Sequence, residues 1–292
     1  MQGVRRYSVP RQVWRILYPI FVYFLAQGLA ESAAAIYALM GPLARNGFDI
    51  TNFDTGSFMN EGLRQLLQMT LPAMTVAALV TLPLLGLYLS NDREDRRIAG
   101  IAPPRVAGGV VALSIVFGAA ACLLGNELIS LSSLPETSSS FINVEAMLFS
   151  SGIVVEIIVI GVLIPIVEEL VYRGLAFRRM RDTIGFLPAM LVSAFLFALA
   201  HGNIVQGLYA FGVGILLAYV CERSGCLAAP ILLHITANTV SVLITELSQV
   251  QTLLSRDLFF FGSMAVSAAL IVVCILAVEG ARVSRRKRGI EP

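Results

Sequence analysis

The sequence predicts an all-α polytopic membrane protein of about eight transmembrane helices, with N- and C-termini cytoplasmic. Three observations predict it. Of 292 residues, 57% are hydrophobic and only 14% charged, with a mean hydropathy of +0.80, which is too apolar for a soluble domain. The apolar residues gather in runs close to the ~20 that cross a bilayer. The basic residues, all arginine except Lys287, form clusters between those runs, and the net charge of +2 implies no nucleic-acid partner.

The elements follow in chain order. Arg5, Arg6, Arg11 and Arg15 precede a first run near 16–41. That run is longer than a signal-peptide core and lacks a small-residue cleavage site, so a retained first span is expected. A second run near 68–90 is followed by Arg93, Arg96, Arg97 and Arg105, and a third lies near 106–132. The Ser- and Thr-rich stretch 133–144 is expected to be an external loop. The fourth run, near 149–172, is followed by Arg178, Arg179 and Arg181. Runs five and six, near 186–201 and 204–221, are separated only by His201-Gly202-Asn203. This predicts a tight turn between two short helices of about 26 Å each. Arg223 precedes the seventh run near 227–247, and Arg282, Arg285, Arg286, Lys287 and Arg288 follow the eighth near 258–280. Every cluster then falls on one side of the membrane, while the opposite loops hold Arg45, Arg64 and Arg256; the positive-inside rule makes the clustered side cytoplasmic. Cys122, Cys221, Cys226 and Cys274 lie in or beside apolar runs without metal-like spacing and read as structural. No internal repeat is visible, which disfavours an inverted-repeat transporter.

Ionisable residues at membrane depth are costly and mark sites. The fourth run carries two adjacent carboxylates, Glu168 and Glu169. Neighbours on a helix point about 100° apart, so the two cannot share one role; Glu169 lies at i, i+4 from Arg173 and can pair with it, leaving Glu168 without a local partner. Pro165 removes a backbone hydrogen bond and favours a kink just before the pair. The two histidines, His201 and His234, both fall in apolar segments, with Phe197 four residues before the first and Asn238 four after the second. A hairpin turning near Ile184-Gly185 returns His201 to the level of Glu168, and helical rise puts His234 and Asn238 at a similar depth. A carboxylate and an imidazole can hold and deprotonate a water, while a second imidazole and a carboxamide can donate to an oxyanion. Glutamate with two histidines could instead hold zinc, but no His-Glu-x-x-His is present, so a divalent metal is less favoured and no cofactor is expected to be required. The bland alternatives are a helix end where carboxylates meet arginines, a turn histidine at 201, and hydrogen-bonding glue between helices at 234 and 238. Glu31 and Glu156 read as structural.

Three stretches, Glu168-Glu169-Leu-Val-Tyr-Arg173, Phe197-Ala-Leu-Ala-His201 and His234-Ile-Thr-Ala-Asn238, resemble the Glu-Glu-x-x-x-Arg, Phe-x-x-x-His and His-x-x-x-Asn motifs of the CAAX prenyl endopeptidase and bacteriocin-processing family. The likeness covers about 160–240. It implies an intramembrane glutamate endopeptidase in which Glu168 and His201 activate water, His234 and Asn238 form the oxyanion site, and Glu169, Arg173 and Phe197 support them. Family members are often labelled metalloproteases, although the glutamate mechanism needs no zinc. The implied substrate is a membrane-embedded, in some members lipidated, peptide or protein. On this reading the chain divides into spans one to three (1–148), a catalytic core (149–247), and a last span with a basic tail (248–292). The arginine-rich composition points to a GC-rich bacterial source and thus to a bacterial plasma membrane. The rival readings are a non-catalytic immunity or scaffold protein of the same fold, and a transporter relaying protons through Glu168, Glu169 and the histidines. Oligomeric state is not legible.

Overall fold

Apolar runs without water to solvate their backbone must close their hydrogen bonds internally, and helices do so within one segment. The computed structural model describes residues 8–45, 47, 55–101 and 106–287, with side chains to 284, and among them every regular element is helical. Arg5, Arg6, Arg105 and Arg288, and the side chains of Arg285, Arg286 and Lys287, lie outside what is described.

Helix α1 (Val9–Arg45) runs against α2 (Thr55–Ile98) along much of its length. The two are antiparallel, because Arg45 near the end of α1 pairs with Glu61 near the start of α2, while Arg15 pairs with Asp92 near its end. At 44 residues, α2 is about 66 Å long, so both its polar ends project well past a ~30 Å hydrocarbon layer. Helix α3 (Gly108–Ser130) follows.

The stretch expected as an external loop is instead two short helices, α4 (Leu134–Thr137) and α5 (Ser139–Leu148). Pro135 fits the first turn of α4, where its missing N–H costs nothing, and Ser138 caps α5 by accepting from the Phe141 N–H at 3.3 Å. The chain then bends by 103°. A continuous helical stretch runs on to Ile184: α6 (Ile153–Glu156), a π-helical segment π1 (Ile157–Leu163), α7 (Ile164–Glu169), a second π-helical segment π2 (Leu170–Phe177) and α8 (Arg178–Ile184). The fourth span therefore starts later and ends later than expected, and the Arg178–Arg181 cluster lies within its final segment, α8. Glu156 is fully buried and structural: its Oε1 accepts the N–H groups of Ser151 and Gly152 at 3.1 and 2.8 Å, satisfying donors exposed by the bend.

The expected turns at Gly185 and Gly202 occur, each with glycine at positive φ. They flank α9 (Phe186–Leu199); α10 (Ile204–Ser224) follows, capped by Asn203. The two were expected to be of equal length, but α9 has 14 residues and α10 has 21, about 21 and 32 Å. Helix α9 is thus too short to cross a bilayer alone. Helices α11 (Ala228–Glu246), α12 (Ser248–Leu254) and α13 (Asp257–Lys287) complete the fold. Among the described residues six helices are long and apolar enough to span, or seven if α5 and the bent stretch after it count as one. The protein is an all-α integral membrane protein.

Helix α11 is wedged between α3 and the π1–α7 stretch, and α3 also packs on α13. The approach of α3 to α11 is close enough to demand glycine: a Cβ at Gly118 would lie 2.2 Å from the Leu233 carbonyl oxygen. At the arginine-rich end, Arg179 of α8 grips Asp92 through two nitrogens at 2.7 and 3.0 Å, donates to the Arg15 carbonyl, and stacks on Tyr18. This clamp ties α1 and α2 to the helix that carries Glu168 and Glu169.

Candidate active site

The central fact is a buried chain of charge built from α7, π2 and α11. The i, i+4 spacing of Glu169 and Arg173 brings Arg173 Nη1 to Glu169 Oε1 at 2.8 Å, and both side chains are 0% exposed. Arg173 Nη2 donates to the Gly214 carbonyl of α10 at 3.1 Å, and its guanidinium lies 4.4 Å from the centre of the Phe197 ring. Cation–π contact and charge-assisted hydrogen bonds offset part of the cost of burying the guanidinium. Glu169 Oε2, Arg173 Nε and the Tyr172 hydroxyl are buried without a hydrogen-bond partner among the described residues.

Glu169 Oε1 is shared. It also lies 2.9 Å from His234 Nδ1, a contact between residues 65 apart in sequence. A carboxylate there accepts Nδ1–H and fixes the ring, which turns Nε2 towards Glu168, whose Oε2 is 3.7 Å away. Glu168, which has no partner on its own helix, thus finds one on α11. Its side chain is 13% exposed against 4% for His234, and the 3.7 Å gap is too long for a direct hydrogen bond.

His201 sits at the turn after α9, as expected. Its Nδ1 is 2.9 Å from the Phe197 carbonyl, so Nδ1–H donates there and Nε2 carries the free lone pair. Phe197 is a hub: its ring meets those of Tyr172, His201 and His234 edge-on, with centroids 5.2, 4.9 and 5.5 Å apart. Through space, Glu168 interacts with His234, His201, Glu169 and Arg173. Asn238, one turn beyond His234, donates from Nδ2 to the Ile160 carbonyl in π1 at 3.1 Å.

The structure therefore brings Glu168, Glu169, Arg173, Phe197, His201 and His234 into one cluster, with Asn238 at its edge, tied to the backbone of π1. One participant escaped sequence reasoning. Tyr23 of α1 is 2% exposed, accepts from Gln27 Nε2 at 3.1 Å, and interacts electrostatically with Glu168. The spacing of Tyr23 and Gln27 at i, i+4 was the available signal. Among the described residues no three His, Cys, Asp or Glu side chains converge as a metal-ligand set.

Comparison with known proteins points to the same segment. Residues 150–240 match the family described as type II CAAX prenyl endopeptidase Rce1-like. Over 101 residues the chain is 29% identical to the Bacillus subtilis (strain 168) protein named "Putative membrane peptidase YdiL"; the match covers 35% of this chain and 41% of that one. The chain thus matches about two fifths of that relative's length. No solved structure matches.

Proposed function

We propose that the chain, whose residues 150–240 match the Rce1-like group of CAAX prenyl endopeptidase relatives, is a member of that group and an intramembrane endopeptidase. It would hydrolyse a peptide bond of a membrane-associated peptide or protein substrate, with water activated by Glu168. The single observation that carries this reading is the Arg173–Glu169–His234 relay ending 3.7 Å from Glu168.

The roles follow from the bonds each group has left. Arg173 and Glu169 are buried and bonded to each other, to Gly214 and to His234, so they orient rather than react. Glu168 keeps its oxygens for a water, and His201 offers Nε2 as a second acceptor. Together they take a proton from that water as it attacks the scissile carbonyl. His234, in its protonated form, donates Nε2–H to the oxyanion that develops. The proton held by Glu168 then passes to the leaving amine. Asn238 donates one Nδ2–H to the Ile160 carbonyl.

The same reading leads us to place both termini in the cytoplasm of a bacterial plasma membrane, as the arginine clusters imply. The test of function compares peptide termini in membranes of cells carrying the wild type or Glu168→Gln at equal folded abundance. Fragments should disappear in the variant, and their termini would identify substrates. Identical profiles together with an unchanged cellular phenotype would replace catalysis with a scaffold or immunity role.

A further inference from the structure

The backbone at Ile160 raises a question of hydrogen-bond accounting, and Asn238 answers it. In π1 each N–H reaches back five residues: the Ile164 N–H donates to the Val159 carbonyl. The next donor in that series belongs to position 165 and would meet the Ile160 carbonyl. Position 165 is proline, which has no N–H. The Ile160 carbonyl would be left without its helical partner at membrane depth, where water does not replace it. The donor it receives is Nδ2 of Asn238, at 3.1 Å from α11. Close approach of α11 makes the reach possible, since a Cβ at Gly161 would lie 2.9 Å from Oγ1 of Thr239, the neighbour of Asn238.

We propose that Asn238 is a positioning residue that stands in for the backbone N–H missing at Pro165, holding π1 in the register that aims Glu168 at His234. Glu168 lies three residues after Pro165, so the rotation of α7 about its axis is set immediately before the carboxylate. Asn238 and His234 sit one turn apart on α11, so a single helix face both sets that rotation and presents the imidazole. This deepens the proposed function and rests on it for its catalytic arm only.

The prediction is a rescue. Asn238→Ala removes the substitute donor, whereas Pro165→Ala restores the original one, so the double variant should recover what the single Asn238→Ala loses. In detergent-solubilised full-length protein, Asn238→Ala is expected to shift the unfolding equilibrium by about three- to tenfold, the range for a hydrogen bond lost inside a helical bundle. Adding Pro165→Ala should return it to the value of Pro165→Ala alone. For proteolysis, kcat should fall in Asn238→Ala with KM unchanged, and should recover in the double variant. Should Asn238→Ala not accumulate folded, recovery of folded yield by Pro165→Ala reads out the same coupling.

Additive losses in the double variant overturn the proposal. So does recovered stability with kcat still lost, because Asn238 would then be acting on the reacting atoms. If the wild type cleaves nothing, the endopeptidase reading fails by itself, and the stability coupling alone decides whether Asn238 replaces the missing donor.

Discussion

At the scale of residues, the two adjacent glutamates differ in what they hold up. Glu169 is the hinge of a buried ion pair and a histidine contact, so Glu169→Gln leaves the Arg173 guanidinium without its countercharge. Breaking one partner of such a pair costs about 3–5 kcal/mol. Glu168 meets only a 3.7 Å neighbour, and Glu168→Gln should cost less than about 1 kcal/mol. Chemical denaturation of the two variants in the same detergent separates them; equal losses would mean that Glu168 is also a structural group. The Glu169–Arg173 pair was legible because i, i+4 is a local rule. The contact of Glu169 with His234, the Arg173 bond to Gly214 and the Asn238 bond to Ile160 span 65, 41 and 78 residues, and one sequence contains no signal for which side chains meet over such distances.

At the scale of elements, apolar runs located most helices, and the glycine turns at 185 and 202 were readable because only glycine is at ease at positive φ. What was not readable was the register. Pro165 announced a break, but the form it takes, π-helical turns on both sides of α7, depends on which neighbours supply donors and fill space. The Ser- and Thr-rich segment misled for a related reason: its Pro135 and Ser138 serve as helix starts in α4 and α5. The α3–α11 contact yields a prediction at this scale. Gly118→Ala places a methyl group against the Leu233 carbonyl, and because the obstacle is backbone, the helices must part. Overpacking of this kind costs about 1–3 kcal/mol. Since Leu233 adjoins His234, kcat should fall alongside a lowered melting temperature; an unchanged melting temperature would show that α3 and α11 are less tightly apposed than described.

At the scale of the molecule, the Arg179–Asp92 clamp joins α1 and α2, which lie outside the matched segment, to the helix bearing both glutamates. The Arg179 and Asp92 side chains are 9% and 15% exposed, so Asp92→Ala leaves a largely buried cation and should destabilise by about 3 kcal/mol. Hydrogen exchange should show the gain concentrated at the arginine-rich ends of α1, α2 and α8. Uniform exchange across α10 and α11 as well would indicate global unfolding instead of a local clamp.

The glycines of α3 carry a consequence for ancestry. Gly118 faces the Leu233 backbone, and Gly125, seven residues on, faces the Tyr209 ring, where a Cβ would come within 2.4 Å. Both lie outside residues 150–240, so a search confined to that segment is blind to them. Descendants of a common ancestor that kept the whole bundle should retain small residues at both positions while the lipid-facing residues of α3 drift freely. Lineages that inherited only the matched segment are under no such constraint, and a paired glycine signature seven residues apart would sort one group from the other.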